Sequence, residues 1–236
     1  MSNTPGKSHS KYKVNHNIFQ EETERAFYLA GFIAADGCIR IAKTNKTRNY
    51  INHRLQISLS KNDKDHLVLI RDLLESTHPV RDYLIKNSEK NDKWNDVWES
   101  KLMITSKQIV SDLRRFNIVP RKSLIYTFPI WLKSHPLLNH FMRGYFDGDG
   151  TVYFPKNSDH IVFGVRGTMK FLNIYKQMLK RKCKIDTDAI PSVQDGIGNF
   201  RIQSNTMVAE VAKFLYKNAT IFLPRKYEII SDRSKL

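Results

Sequence analysis

The chain has 236 residues, 41% of them hydrophobic and 11% aromatic, enough to bury the core of one large domain or two small ones and too much for a disordered basic tail. Lys and Arg number 39 against 23 Asp and Glu, a net charge of +16 that points to a polyanionic partner without separating DNA from RNA or an acidic membrane. Cys38 and Cys183 lack CxxC spacing, which argues against a disulfide scaffold or a zinc cluster, and no apolar run reaches membrane-spanning length.

Residues 1–23 read as a basic arm, flexible over its first seventeen residues, which are rich in Ser, Lys and Asn; its polarity argues against secretion. An apolar helix follows, ending in Leu29-Ala30-Gly31-Phe32-Ile33-Ala34-Ala35-Asp36-Gly37. Gly31 and Ala35 fall four apart on one face and leave almost no side chain there, while Phe27, Leu29, Phe32 and Ile33 give a helix buried on most sides. Gly37 is placed as the left-handed cap beyond the last turn. Asp36 then meets the negative end of the helix dipole, which disfavours its charge unless a cation is near.

Cys38 to Ile41 and Arg54 to Ser60 form a half-buried hairpin, with Leu55, Ile57 and Leu59 opposite Arg54, Gln56, Ser58 and Ser60. Asn62-Asp63 is expected to cap a helix to about Ser76, striped by Leu67, Ile70, Leu73 and Leu74. A charged loop spans 86–95, and a strand over 98–105 sets Leu102 and Ile104 against Lys101 and Met103. A short helix over 107–116 and Pro120-Arg121-Lys122-Ser123 close this unit, and a break near 132–136 divides the chain into units 24–132 and 133–236.

The second unit repeats the order. It opens on Met142-Arg143-Gly144-Tyr145-Phe146-Asp147-Gly148-Asp149-Gly150, with Gly144 and Gly148 again four apart. Strands follow with Val152 and Phe154 opposite Thr151 and Tyr153, and Ile161, Phe163 and Val165 opposite Val162, Gly164 and Arg166. A helix over 169–181, a strand at 200–203, a helix over 206–216 and Pro224-Arg225-Lys226 complete it. The expected class is α+β: two αββαββα repeats related by a pseudo-twofold axis, their antiparallel sheets forming a basic saddle. An EF-hand beginning at Asp147 fails, because its sixth position is Val152 and its twelfth Ser158.

Duplication gives these acids their meaning. Two helices packed through their small faces bring Asp36 and Asp149 together, and mutual repulsion adds to the dipole penalty. A divalent metal relieves both, and oxygen ligands suit magnesium, which in paired-acid sites activates water and stabilises a leaving oxygen in phosphodiester cleavage. Curved antiparallel strands fit a major groove, where Arg and Gln read guanine and adenine edges. Strand parity places Arg54, Gln56, Arg166, Arg201 and Gln203 there. Arg40, Lys43, Ser58, Lys101 and Tyr153 join this DNA-contacting set, with Lys46, Arg48 and Lys156 from loops that tune the target.

With both nine-residue motifs and the repeated Pro-Arg-Lys, residues 24–232 resemble a single-chain, two-repeat LAGLIDADG homing endonuclease. The resemblance implies a monomer with a saddle-shaped DNA surface. It also implies magnesium-dependent cleavage of both strands across the minor groove, with short 3′ overhangs, serving to mobilise an intron. Manganese or calcium would substitute in binding. The essential acids would be Asp36 and Asp149, the carbonyls of Ala35 and Gly148 would join the metal shell, and Lys122 and Lys226 would order water near the scissile phosphates. The motif departs from symmetry at its sixth position, Ala34 in one copy and Asp147 in the other. Within the same family, a maturase acting on intron RNA and a non-cleaving DNA-binding regulator are the alternatives; retention of both acids favours the nuclease.

Overall fold

Thr23 opens the first long helix, α1 (Glu24–Asp36), by accepting a hydrogen bond from Ala26 N. Every residue from Ala26 to Ala34 is buried, so the helix is apolar all round and central. The computed structural model describes residues 11–43, 51–87, 89, 95–194 and 196–234. After α1 come β1 (Gly37–Lys43), β2 (Ile51–Ser60), α2 (Lys64–Leu73), β3 (Val80–Ile85), β4 (Val97–Thr105) and α3 (Lys107–Asp112). The order recurs in α4 (Leu138–Asp149), β5 (Gly150–Tyr153), β6 (Val162–Gly167), α5 (Met169–Cys183), β7 (Ser192–Gln194), β8 (Ile197–Ile202) and α6 (Asn205–Leu215), followed by α7 (Pro224–Ser234). This is the α+β, αββαββα architecture expected from the sequence.

The two repeats meet at α1 and α4, and small residues set how closely. A Cβ built on Gly31 would stand 2.0 Å from the carbonyl oxygen of Phe141, and one on Gly144 would stand 2.1 Å from that of Tyr28. A Cβ on Gly148 would stand 2.4 Å from that of Ala35. Backbone therefore lies against backbone, and the two helix ends are carried forward side by side.

Each central helix runs straight into a strand. Gly37 (φ −78°, ψ 144°) and Gly150 (φ −90°, ψ 159°) are extended, which corrects the expected left-handed cap. Glycine is needed there for room. A Cβ on Gly37 would lie 2.5 Å from Ile33 Cγ2, and one on Gly150 would lie 2.2 Å from Phe146 Cδ2.

Two four-stranded antiparallel sheets have the orders β1-β2-β4-β3 and β5-β6-β8-β7. The first turns Ile39, Leu55, Ile57, Leu102 and Ile104 into the core, against α2 and α3; the second buries Val152, Phe163, Val165, Phe200 and Ile202, with α5 packed on β6 and β8. The opposite faces hold the polar positions.

Several expectations change. Residues 11–23 are not a free arm: Ile18 and Phe19 are fully buried, Asn15 N donates to Leu74 O and Thr77 N to Lys13 O. Residues 1–10 lie outside the described residues. Asp63 makes no capping hydrogen bond, and Ser60 instead accepts from Asn62 N; Asp63 turns to Arg225 of the other repeat, with both contacts at 2.9 Å. The alternation expected in β6 is absent over Val162 to Val165, all buried. Pro224-Arg225-Lys226 opens a helix, α7.

Candidate functional site

The carboxylates of Asp36 and Asp149 sit on the last residues of α1 and α4, at the negative ends of both helix dipoles. A Cβ built on Gly148 would lie 3.1 Å from Asp36 Oδ2, so the first acid rests against the last turn of the second helix. Burial, with the charge of Asp149 added, pushes the Asp36 carboxyl up to about 7; Lys226 and Lys122 oppose the shift. Burial also raises Asp149, against the pull of Lys122, Lys226 and Arg166. Both acids are thus held where negative charge is costly, and neighbouring cations lower that cost.

The cations come from the repeated Pro-Arg-Lys. Arg121 adopts a left-handed conformation (φ 58°) just before a short 3-10 turn, Lys122–Leu124, and Lys122 Nζ donates to Ala35 O at 3.0 Å. Lys226, in the first turn of α7, donates to three carbonyls at the end of α4: Phe146 at 2.8 Å, Asp147 at 2.7 Å and Gly148 at 3.3 Å. Burial lowers both ammonium groups, Lys226 to about 8. Each lysine thereby offsets the dipole that the acid at its helix end opposes. A cavity of about 270 Å³ brings together Lys122, Asp149, Ala35, Tyr126, Tyr145 and Arg166 from both repeats.

The donors available to a metal are all oxygen: the carboxylates of Asp36 and Asp149 and the carbonyls of Ala35 and Gly148. Such a set fits a hard divalent cation such as magnesium. A carbonyl oxygen has two lone pairs, so the lysine bond does not exclude a second partner. Among the described residues no group of three or more His, Cys, Asp or Glu is gathered for a metal, so the two acids stand without a third side-chain ligand of those types.

The polar sheet faces flank these helix ends. In the first sheet Arg40 pairs with Arg54, and Arg54 with Thr105; next come Cys38, Gln56 and Met103, then Ser58 and Lys101. In the second sheet Thr151, Gly164 and Arg201 form one row, and Arg166, Asn199 and Ser192 the next. Arg40, Lys43, Tyr153, Lys156, Arg166, Arg201 and Gln203 are exposed, Gln203 just beyond the end of β8. Arg54, Gln56, Ser58 and Lys101 are half-buried, and Lys101 is engaged by Glu99 at 3.1 Å and by the Tyr83 ring. Lys46 and Arg48 lie outside the described residues.

Residues 29–126 match the family model described as LAGLIDADG endonuclease. Over that stretch the sequence is similar to the LAGLIDADG endonucleases. Its fold is that of the homing endonuclease I-WcaI bound to its DNA recognition sequence (TM-score 0.63, 16% identity, 89% of this chain and 88% of that one). It also matches the LAGLIDADG meganuclease I-AabMI bound to uncleaved DNA (0.54, 15%, 89% and 88%). A third match is I-SmaMI bound to uncleaved DNA target in the presence of calcium ions (0.56, 12%, 91% and 90%). The sequence has no match among curated proteins.

Within the second nine-residue motif, two buried groups make contacts that no spacing in the sequence signals. Arg143 is fully buried and donates to Ile221 O, Leu215 O and Glu24 Oε1, the last at 2.6 Å, so it ties α4 to the start of α1. Asp147, at the sixth motif position, accepts from Tyr28 OH and Leu223 N through Oδ2, both at 2.8 Å, while its Oδ1 has no partner. Tyr28 OH is in turn 2.9 Å from His66 Nε2. Because the hydroxyl donates to Asp147, it accepts from His66, which assigns a proton to Nε2. Burial lowers His66 to about 4 and its buried Nδ1 has no partner, both of which favour the neutral ring. Residues 119 apart in the chain make both the Glu24–Arg143 and the Tyr28–Asp147 contacts, so the pairing of α1 with α4 brings them together.

Proposed function

We propose that the chain is a site-specific DNA endonuclease of the homing type, cutting both strands of a long target with a divalent metal, magnesium in the cell. The observation that carries this reading is the delivery of Asp36 and Asp149 to one place by two equivalent helices, each with its lysine. Paired acids at a pseudo-twofold axis suit a substrate whose two strands are themselves related by a twofold axis. Arg40, Arg54, Arg166 and Arg201 on the flanking sheets supply contacts to phosphates and base edges.

Asp36, Asp149, Ala35 O and Gly148 O are the groups that would hold the metal, which when bound supplies Lewis acidity and lowers the pKa of water. The protein's own residues do the rest. Asp36 and Asp149 orient water toward phosphorus. The water oxygen bonds to phosphorus, the bond to the departing ester oxygen breaks, and a proton ends on that oxygen. Lys122 and Lys226 bring positive charge to a site where negative charge develops on the phosphoryl oxygens. No side chain acts as nucleophile.

The test begins with duplexes selected for binding from a randomised DNA library. Incubation of the recovered duplex with the protein and magnesium should give a double-strand break, and chelation should abolish it. Tight, specific binding with no cleavage under magnesium or manganese would instead support a DNA-binding regulator.

A further inference from the structure

We propose that Asp147 makes the two halves of the site unequal, so that the strands are cut in sequence and the strand lying over Lys122 is cut first. The inference rests on the cleavage proposed above. Lys122 and Lys226 hold the same place in Pro-Arg-Lys but are bonded differently. An ammonium has three N–H groups. Those of Lys226 are taken by the carbonyls of Phe146, Asp147 and Gly148, which leaves none for a phosphate. Lys122 makes one such bond, to Ala35 O, and lines the cavity with Asp149 and Arg166.

Asp147 is the cause of the difference. Its carboxylate accepts from Leu223 N at 2.8 Å, and Leu223 O accepts from Lys226 N at 3.1 Å. The turn carrying Lys226 is therefore pinned to α4 three residues before the lysine, and the ammonium is returned to the same helix. At the matching place in α1 stands Ala34, which has no group to do this. Asp147 touches no substrate in this scheme and is a positioning residue.

The sheets add a second inequality in the same direction. Gly37 pairs with Ile57 and Gly150 with Val165, so Ser58 and Arg166 occupy matching positions one residue further on. Arg166 reaches across from the second repeat to line the cavity that holds Lys122, so that side of the site also has an arginine, where the matching residue of the first repeat, Ser58, has only a hydroxyl.

The experiment uses the full chain and a duplex recovered by the selection above, each strand carrying its own label. With magnesium, the wild type should cut one strand at least about tenfold faster than the other. Lys122→Met should slow that faster strand by the larger factor. Asp147→Ala should release Lys226 and accelerate the slower strand, bringing the two rates within about threefold; Asp147→Asn keeps an acceptor for Leu223 N and should retain the wild-type ratio. A merely structural loss would slow both strands together, and that result for Asp147→Ala would overturn the proposal. Equal strand rates in the wild type would overturn it without any variant, so a poorly folding Asp147→Ala does not shelter it. Cleavage of neither strand would defeat the endonuclease reading itself, whereas equal cleavage of both leaves that reading standing and defeats this one.

Discussion

Gly31 and Phe141 touch backbone to backbone: a single added carbon on the glycine would stand 2.0 Å from the phenylalanine's carbonyl oxygen. The obstructing atom belongs to a helix and cannot rotate aside. Gly31→Ala gains up to about 1 kcal/mol of helix propensity, but overpacking costs about 1–3 kcal/mol or more, so the packing loss wins. Urea unfolding should show the variant less stable than wild type, and Gly144→Ala, facing Tyr28 O at 2.1 Å, should behave alike. An unchanged midpoint for both would mean that α1 and α4 do not pack through these residues.

Protonation of His66 works against the fold, opposite in sign to that of Asp36, whose raised value favours the folded chain as pH falls from 7 toward 3.8. The folded value of His66 is lowered to about 4 from 6.5 by burial, so the unfolded chain binds the extra proton between those values. This contribution is complete above pH 6.5 and is lost as pH falls toward 4, on the order of 3 kcal/mol over the whole range. His66→Gln, whose amide can still donate to Tyr28, should remove this contribution, so that its unfolding free energy relative to wild type rises as pH falls from 7 to 5. The same slope in variant and wild type would place the acid sensitivity elsewhere, His140 being next in line because burial lowers it to about 4 as well.

Magnesium should stabilise the DNA-free protein by joining two acids that repel. At ten times its dissociation constant the linkage is worth about 1.4 kcal/mol, or about 3–5 °C in Tm for a chain of this size. Asp36→Asn should melt higher than wild type in chelator, since a buried charge has been removed, and should gain less from the metal. An equal magnesium shift in Asp36→Asn and Asp149→Asn would separate metal binding from these residues.

Binding to the selected duplex should weaken steeply with salt, log K falling by about 0.9 per phosphate contact. Arg40→Ala or Arg201→Ala should reduce that slope by about one if the side chain meets phosphate. Loss of discrimination at one base pair with an unaltered slope identifies a base contact instead. No change in either quantity removes the residue from the interface.

Local pattern carried much of the fold. Alternation located β2 and β4, and the duplicated motif located α1 and α4 with the small residues at their contact. β3 escaped because it is an edge strand with no clear inward face: its residues alternate weakly, and Leu84 is 41% exposed. The buried partners Glu24–Arg143 and Tyr28–Asp147 escaped because each is made across the pseudo-twofold axis, where no spacing within one helix predicts it. Gly37 and Gly150 were placed correctly but for the wrong reason, since close approach of Ile33 and Phe146 mimics in sequence the demand of a left-handed turn. For the site, the acids and lysines were legible as repeated residues; the capture of Lys226 by three carbonyls required the fold.

The central claim is that Asp36 and Asp149 act together on one DNA target, and strand-resolved cleavage by the two single Asp→Asn variants tests it most directly. Each variant should bind the selected duplex within about threefold of wild type while double-strand cleavage in magnesium falls by about a thousandfold or more. Double-strand cleavage at the wild-type rate by either variant would contradict the account.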